Sequence, residues 1–433
     1  MGIMADIFKK IAERFGLEVQ EKKADKLYSD ADDVNLTAVI SNRVATITML
    51  DSEITIEGDN ARAIFMREFV EEYVNDRMHA AAEVALGTGD CLVKPWTDGE
   101  HIGVDIIENE DFRVCESVGN FIRSVIIRCG VINISGKEYQ RFEGQRLDYV
   151  NGVPVLFIDQ FVYCDGKEIT NQNAWPAAWR DIAQSSYIAN ATGLLFGRYK
   201  CPTVNREDVN STNGVKITYG LDSVMNNAAE AYKRFNEEQR KGESMLFADR
   251  TLFTADENGT RKLPKGKSKL FQTVKGRDSK ELVHEFAPDL RADGFKKGIE
   301  VNFKMLELLA GFSNGILTSP TTSYATATEI KASLNQTFAF MTKFRKQLVK
   351  GTNELLRAVD MICNRNNITP MGAWDVKYDW SSSYIENMEE QFDRLMQLES
   401  IGAVDKAEPR AWALDESIEE AREAVENITN AVE

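Results

Sequence analysis

Apolar positions in residues 61–86, "ARAIFMREFVEEYVNDRMHAAAEVAL", recur at helical spacing through Ile64, Phe65, Phe69, Tyr73 and Val74, and Gly87 and Gly89 follow as stops. From Cys91 to about Ile169 the period shortens. "CLVKPW", "HIGVDII", "FIRSVIIRCGVI", "YQRFEGQRLDYV" and "VPVLFIDQFVYCDGKEI" are strand-like runs divided by DG, GN and NG turns, which predicts a meandering antiparallel sheet. The N-terminal "MGIMADIFKKIAERFGLE" places Ile7, Phe8, Ile11 and Phe15 on one helical face. Residues 194–221 are rich in turn formers and read as a linker.

The second half has a different rhythm. A helix is expected over 222–242, with Asp222 as N-cap, a stripe of Met225, Ala228, Ala229, Tyr232 and Phe235, and Gly242 as stop. Short strands "SMLFADRTLF" and "KSKLFQTVKG" follow. Helical spacing returns from about Leu290 to Ala310 through Phe295, Ile299, Phe303 and Leu306. A Ser/Thr/Gly/Pro loop, "FSNGILTSPTTSYA", then leads into a helix that can run from Ala327 to Cys363. Thr326 and Glu329 form a capping-box pattern at its start. "WDVKYDWSS" reads as a last strand before an acidic helical tail. The whole is an α+β chain in which two helices flank a small β module, a stalk carrying a knob.

Charge changes the picture more than composition does. The 433 residues are 43% hydrophobic and 28% charged, ordinary for a folded protein, but the net charge is −16. A protein that wraps nucleic acid broadly carries the opposite sign, so any DNA contact must be local. Between Arg261 and Lys280 eight bases (Arg261, Lys262, Lys265, Lys267, Lys269, Lys275, Arg277 and Lys280) face one acid, Asp278. The segment Glu386–Glu433 holds fourteen acids and four bases. No apolar run approaches the roughly 18 residues of a membrane span, and no signal-peptide core is present, so a cytosolic product is expected.

Catalytic signatures do not assemble. Gly266-Lys267-Ser268 lacks the first glycine of a phosphate-binding loop, since Arg261 stands there. Gly87-Thr88-Gly89 follows a helix and precedes a strand, the wrong order for a dinucleotide turn. Asp98, Glu100, His101 and Asp105 could gather round a metal, but a hairpin with a solvated polar face explains them better. Three separated histidines (His79, His101, His284) and six scattered cysteines (Cys91, Cys115, Cys129, Cys164, Cys201, Cys363) give no triad, zinc or disulfide framework. No enzyme, cofactor or resident metal is expected.

Several segments together resemble the portal proteins of long-tailed bacteriophages. They are "AAAEVALGTGDCLVKPW", "FGRYKCPTVNREDVNSTNGVKI", "GESMLFADRTLF", "VHEFAPDLR", "YATATEIKASLNQTF" and "VKYDWSSSYIENMEEQFDRLMQLESIGAVDKAE", in this order across roughly residues 60–420. The resemblance implies a homo-oligomeric ring, a dodecamer, at one capsid vertex of the virion, assembled in the host cytoplasm. Terminase pumps double-stranded DNA through such a ring, and the DNA later leaves by it toward the tail. It further implies a wing over 1–220, a stem helix over 222–242, a clip over 243–287 and a channel-lining stem helix over 288–310. A tunnel loop over 311–325, a long wing helix with closing strand over 326–384, and a helical crown over 385–433 would follow.

Implied partners are the terminase large subunit, a head–tail adaptor, scaffold, the major capsid protein and the DNA, with no membrane. The expected DNA-contacting residues are Ser313, Asn314, Thr318, Ser319, Thr321, Thr322 and Ser323, uncharged groups that would touch a moving duplex weakly. Arg261, Lys262, Lys265, Lys267, Lys269, Lys275 and Arg277 would form a basic clip face. Another head–tail connector or minor capsid protein without a DNA channel is the alternative.

Overall fold

Side-chain capping starts the helix over residues 61–73. The computed structural model describes residues 2–15, 35–50, 52–99, 101–119, 121–241, 245–249, 271–274, 283–286, 292–313, 316–318, 327–380, 395–401, 404–414, 417–419, 421–422 and 424–425. In α3 (Ala61–Tyr73) the Asn60 carboxamide accepts the Ala63 N–H at 3.0 Å. A π-helical turn, Val74–Met78, joins it to α4 (His79–Thr88), which ends at Gly89 with φ +103°. Ahead of these lie α1 (Gly2–Arg14), α2 (Leu36–Met49) and β1 (Ser52–Glu57).

The chain divides into two units, one of residues 1–28, 37–217 and 322–433, the other of 29–36 and 218–321. In the first, β4 (Phe112–Val118), β5 (Phe121–Ile134), β6 (Lys137–Val150), β7 (Val153–Cys164) and β8 (Lys167–Glu168) form an antiparallel meander, while "CLVKPW" and "HIGVDII", expected in the same sheet, belong to another. β9 (Ser185–Ala189) pairs with β7. Ser135-Gly136, Asn151-Gly152 and Asp165-Gly166 take positive φ at both residues, the two-residue turn whose twist suits a hairpin. On this sheet α1 buries Ile7, Phe8 and Ile11 against Ile126, Phe142, Phe161 and Tyr163. Phe8 meets Phe142 edge-on at 5.4 Å.

A second sheet, in the order β10 (Gly197–Lys200), β2 (Asp90–Thr97), β3 (Ile102–Ile107), corrects the linker expectation for 194–221. Leu194, Leu195, Phe196, Tyr199, Cys201 and Ile217 are buried there. Its glycines serve close approach rather than looseness. A Cβ on Gly197 would lie 2.1 Å from the Gly351 carbonyl oxygen, and one on Gly214 would lie 2.0 Å from that of Gly89. Gly351 belongs to α7 (Ala327–Asn366), which packs across β10. After α7, β14 (Asp375–Trp380) pairs antiparallel with β1. Residues 395–400 are helical, and a short helix Ala407–Leu414 brings Ala407 and Ala411 together with Ala421.

The second unit contains α5 (Asp222–Lys241) packed on α6 (Ala292–Ala310). Between them in sequence is a three-stranded sheet with β11 (Met245–Asp249) central, parallel to β12 (Phe271–Val274) and antiparallel to β13 (Val283–Phe286). Asp222 is not the cap of α5. The Met225 N–H bonds the Leu221 carbonyl at 3.0 Å, which moves the cap back one residue and puts the Asp222 carboxylate in the first turn, at the positive end of the helix dipole.

Candidate functional site: the α6 helix and its C-terminal loop

The α6 helix is apolar on two faces. Phe295, Ile299 and Phe303 are half-buried and Leu306 fully buried along the first. Gly294, Gly298, Val301, Met305, Leu308 and Leu309 fall at helical spacing along the second. Val301, Met305, Leu308 and Leu309 are 61%, 47%, 63% and 51% exposed, and a Cβ on Gly294 or Gly298 would meet nothing. Lys296, Lys297, Glu300 and Lys304 occupy the remaining sector. A surface helix normally keeps one apolar stripe, so a second one left exposed among the described residues is unusual.

The helix ends in a Schellman motif. Gly311 takes φ +78°, its N–H bonds the Leu308 carbonyl at 3.2 Å, and the Phe312 N–H bonds the Glu307 carbonyl at 2.9 Å. The chain then turns back onto the helix, burying Phe312, Ser313 and Ile316. Glu307, fully buried, receives this return. Its Oε1 accepts the N–H of Leu317 at 2.5 Å and of Thr318 at 3.0 Å, and its Oε2 accepts the Thr318 hydroxyl at 3.1 Å.

Residues 216–431 match the family described as phage portal protein, SPP1 Gp6-like. The chain belongs to the phage portal protein family. This is a structural, non-enzymatic family, and the match spans α5, α6, α7 and β14. No curated protein matches the chain. Among the described residues, no helix is long and apolar enough to cross a membrane.

In this portal protein the loop residues singled out from sequence separate into two groups. The structure places Ser313 inside the helix–loop junction and commits the Thr318 hydroxyl to Glu307. Neither therefore offers a free group at the surface of the subunit. Asn314, Ser319, Thr321, Thr322, Ser323 and Thr326 lie outside the described residues, as do the Glu329 side chain and all seven basic clip residues. α7 is described from Ala327 onward. Asp98 and His101 sit exposed on the β2–β3 turn, the Asp98 Oδ1 accepting the His101 N–H at 2.8 Å, and Asp105 is on β3. Among the described residues no group of His, Cys, Asp and Glu is arranged to hold a metal ion.

Sequence reasoning missed Glu307 and the second α6 stripe. The stripe was readable at Gly294, Gly298, Val301, Met305 and Leu308. The Glu307 contact joins residues ten and eleven apart through a side chain, and no periodicity reports that.

The first unit carries three buried polar cross-links. Arg62 is enclosed: its Nη1 reaches Asp360 Oδ1 at 2.5 Å, its Nη2 bonds Asn364 Oδ1 at 2.9 Å and the Thr369 carbonyl at 2.7 Å, and its Nε bonds Thr369 Oγ1 at 2.7 Å. Asp90, buried, holds Arg198 and the Gly214 N–H, tying β10 to the 201–217 segment. Lys94 and Glu143 pair at 3.3 Å between the two sheets. Burial works against both charges. Even so, Glu143 holds the Lys94 pKa above the ordinary value, while Lys94 and the carboxamides of Gln145 and Gln160 hold Glu143 below its own.

Proposed function

We propose that this chain is one subunit of a ring-shaped portal at a single capsid vertex. Terminase would pack double-stranded DNA through its central channel, the DNA would later be ejected by the same route, and the ring would join head to tail. The observation that carries the ring is the second apolar face of α6. Covering the exposed half of Val301, Met305, Leu308 and Leu309 contributes about 4 kcal/mol per contact, at roughly 1 kcal/mol for each half-buried side chain. A closed ring uses a heterologous contact, so this face meets a different surface of the neighbouring subunit.

In this reading α5 and α6 are the stem, residues 243–287 the clip, 311–325 the tunnel loop, 385–433 the crown, and 1–220 with 326–384 the wing. The acidic chain suits a conduit, since phosphate-gripping bases would hold a duplex that has to move. With Ser313 and Thr318 turned inward, DNA contact falls to Asn314, Ser319, Thr321, Thr322 and Ser323. The basic cluster Arg261, Lys262, Lys265, Lys267, Lys269, Lys275 and Arg277 serves as the docking face for terminase or the head–tail adaptor.

Mass photometry of Leu308→Asp beside the unaltered chain tests the ring. A ring-sized species for the natural sequence and a monomer for the variant support the proposal. A monomer for the natural sequence contradicts the ring, and ring-sized particles from both chains contradict the α6 contact.

A further inference from the structure

We infer that Glu307 is a positioning residue that ties Leu317 and Thr318 back onto the last turn of α6, so that they move with that helix. A carboxylate in the interior of an already acidic chain is costly unless donors surround it. Those described here come from the returning loop: the amides of Leu317 and Thr318 and the Thr318 hydroxyl. Leucine or methionine would fill the same space if packing alone mattered. The Schellman closure through Gly311 and Phe312 fixes the first two loop residues, and the Glu307 side chain holds Leu317 and Thr318 farther along.

Glu307 lies on the side of α6 next to Phe303 and away from Val301, Met305 and Leu308. Replacing it therefore leaves the apolar face assigned to subunit contact intact. The functional consequence rests on the portal reading: a shift or rotation of α6 would carry Leu317 and Thr318 with it, where an untied loop would absorb the motion.

The test is site-resolved backbone hydrogen exchange on the full chain, comparing Glu307→Gln, Glu307→Asp and Thr318→Val with the natural sequence. Glu307→Gln should speed exchange at Leu317 and Thr318 at least about tenfold, the effect of losing one charge-assisted hydrogen bond. Amides in the middle of α6 should keep their protection, and the particle mass should not change. Glu307→Asp should restore part of the protection. Thr318→Val removes only the hydroxyl contact and should give a smaller, local increase, which keeps the comparison available should Glu307→Gln fail to fold.

Unchanged exchange at Leu317 and Thr318 overturns the lock. Fast exchange spread over all of α6 overturns it too, because Glu307 would then be a general stability residue. Faster local exchange with normal DNA retention in assembled heads refutes the positioning role. Failure of the natural chain to form rings counts against the portal reading and leaves the exchange result standing.

Discussion

Replacing Arg62 with alanine should loosen the first unit about as much as emptying a large side chain from its hydrophobic core. The guanidinium is 1% exposed and makes four side-chain and backbone bonds of 2.5–2.9 Å, with a fifth, to the Asp360 carbonyl, at 3.3 Å. These join α3 to the last turns of α7, about 300 residues away in sequence, where the carbonyl end of the helix dipole favours a cation. Removing one partner of a buried ion pair costs about 3–5 kcal/mol. Asp360 is 31% exposed and regains water on losing its partner, so the lower end, about 3 kcal/mol, is expected. At about 2–4 °C per kcal/mol this lowers the unfolding midpoint by roughly 6–12 °C. Trp374, whose indole N–H bonds Asp360 Oδ1 at 3.4 Å, gives a local fluorescence signal for the melt. Arg62→Lys keeps the charge and loses the fork, so it should fall between the two. A midpoint shift under about 2 °C for Arg62→Ala, or a lysine variant equal to the natural chain, would show that the clamp does not hold α3 to α7.

Gly351→Ala should destabilise the same unit by about 3 kcal/mol or more, because its Cβ would stand 2.4 Å from the Arg198 carbonyl oxygen and backbone cannot step aside; chemical denaturation reads this, and a neutral result refutes the close crossing of α7 and β10. Lys200 is held down to about 8, first by burial and then by neighbouring Arg198, against an ordinary 10.5. The folded state therefore carries an unfavoured charge below pH 8, a cost that fades as pH rises toward 10.5. Lys200→Met should accordingly stabilise most at pH 7 and progressively less up to pH 10, and a pH-independent difference would contradict this. Burial pushes the Cys115 and Cys129 thiols up to about 12, and those of Cys201 and Cys363 to about 11. Native alkylation at pH 8 should then modify half-exposed Cys164 first, and equal labelling of Cys115 would contradict the packing of α1 on the meander.

Much of the fold was legible because its signals are local. Asn151-Gly152 and Asp165-Gly166 encode their turns outright, and the apolar face of α1 announced its burial. What stayed hidden depends on distant partners. The glycines at 197 and 214 look like linker residues until Gly351 and Gly89 are seen against them. β1 and β14 lie more than 300 residues apart and pair only in three dimensions. The parallel pairing of β11 with β12 is not written in either strand. The candidate site follows the same division: its helix and loop were readable, whereas the Glu307 lock was not. The second α6 stripe was present in the sequence, and it gains meaning from exposure, which only the folded subunit supplies.

A portal needs this chain to close into a ring around a channel. Electron microscopy of the purified protein, averaged over end-on views, reads this out. Rings of cyclic symmetry with a central hole wide enough for duplex DNA are expected. A uniform population of monomers, or open filaments without closure, at concentrations where the α6 face should be covered would contradict the ring.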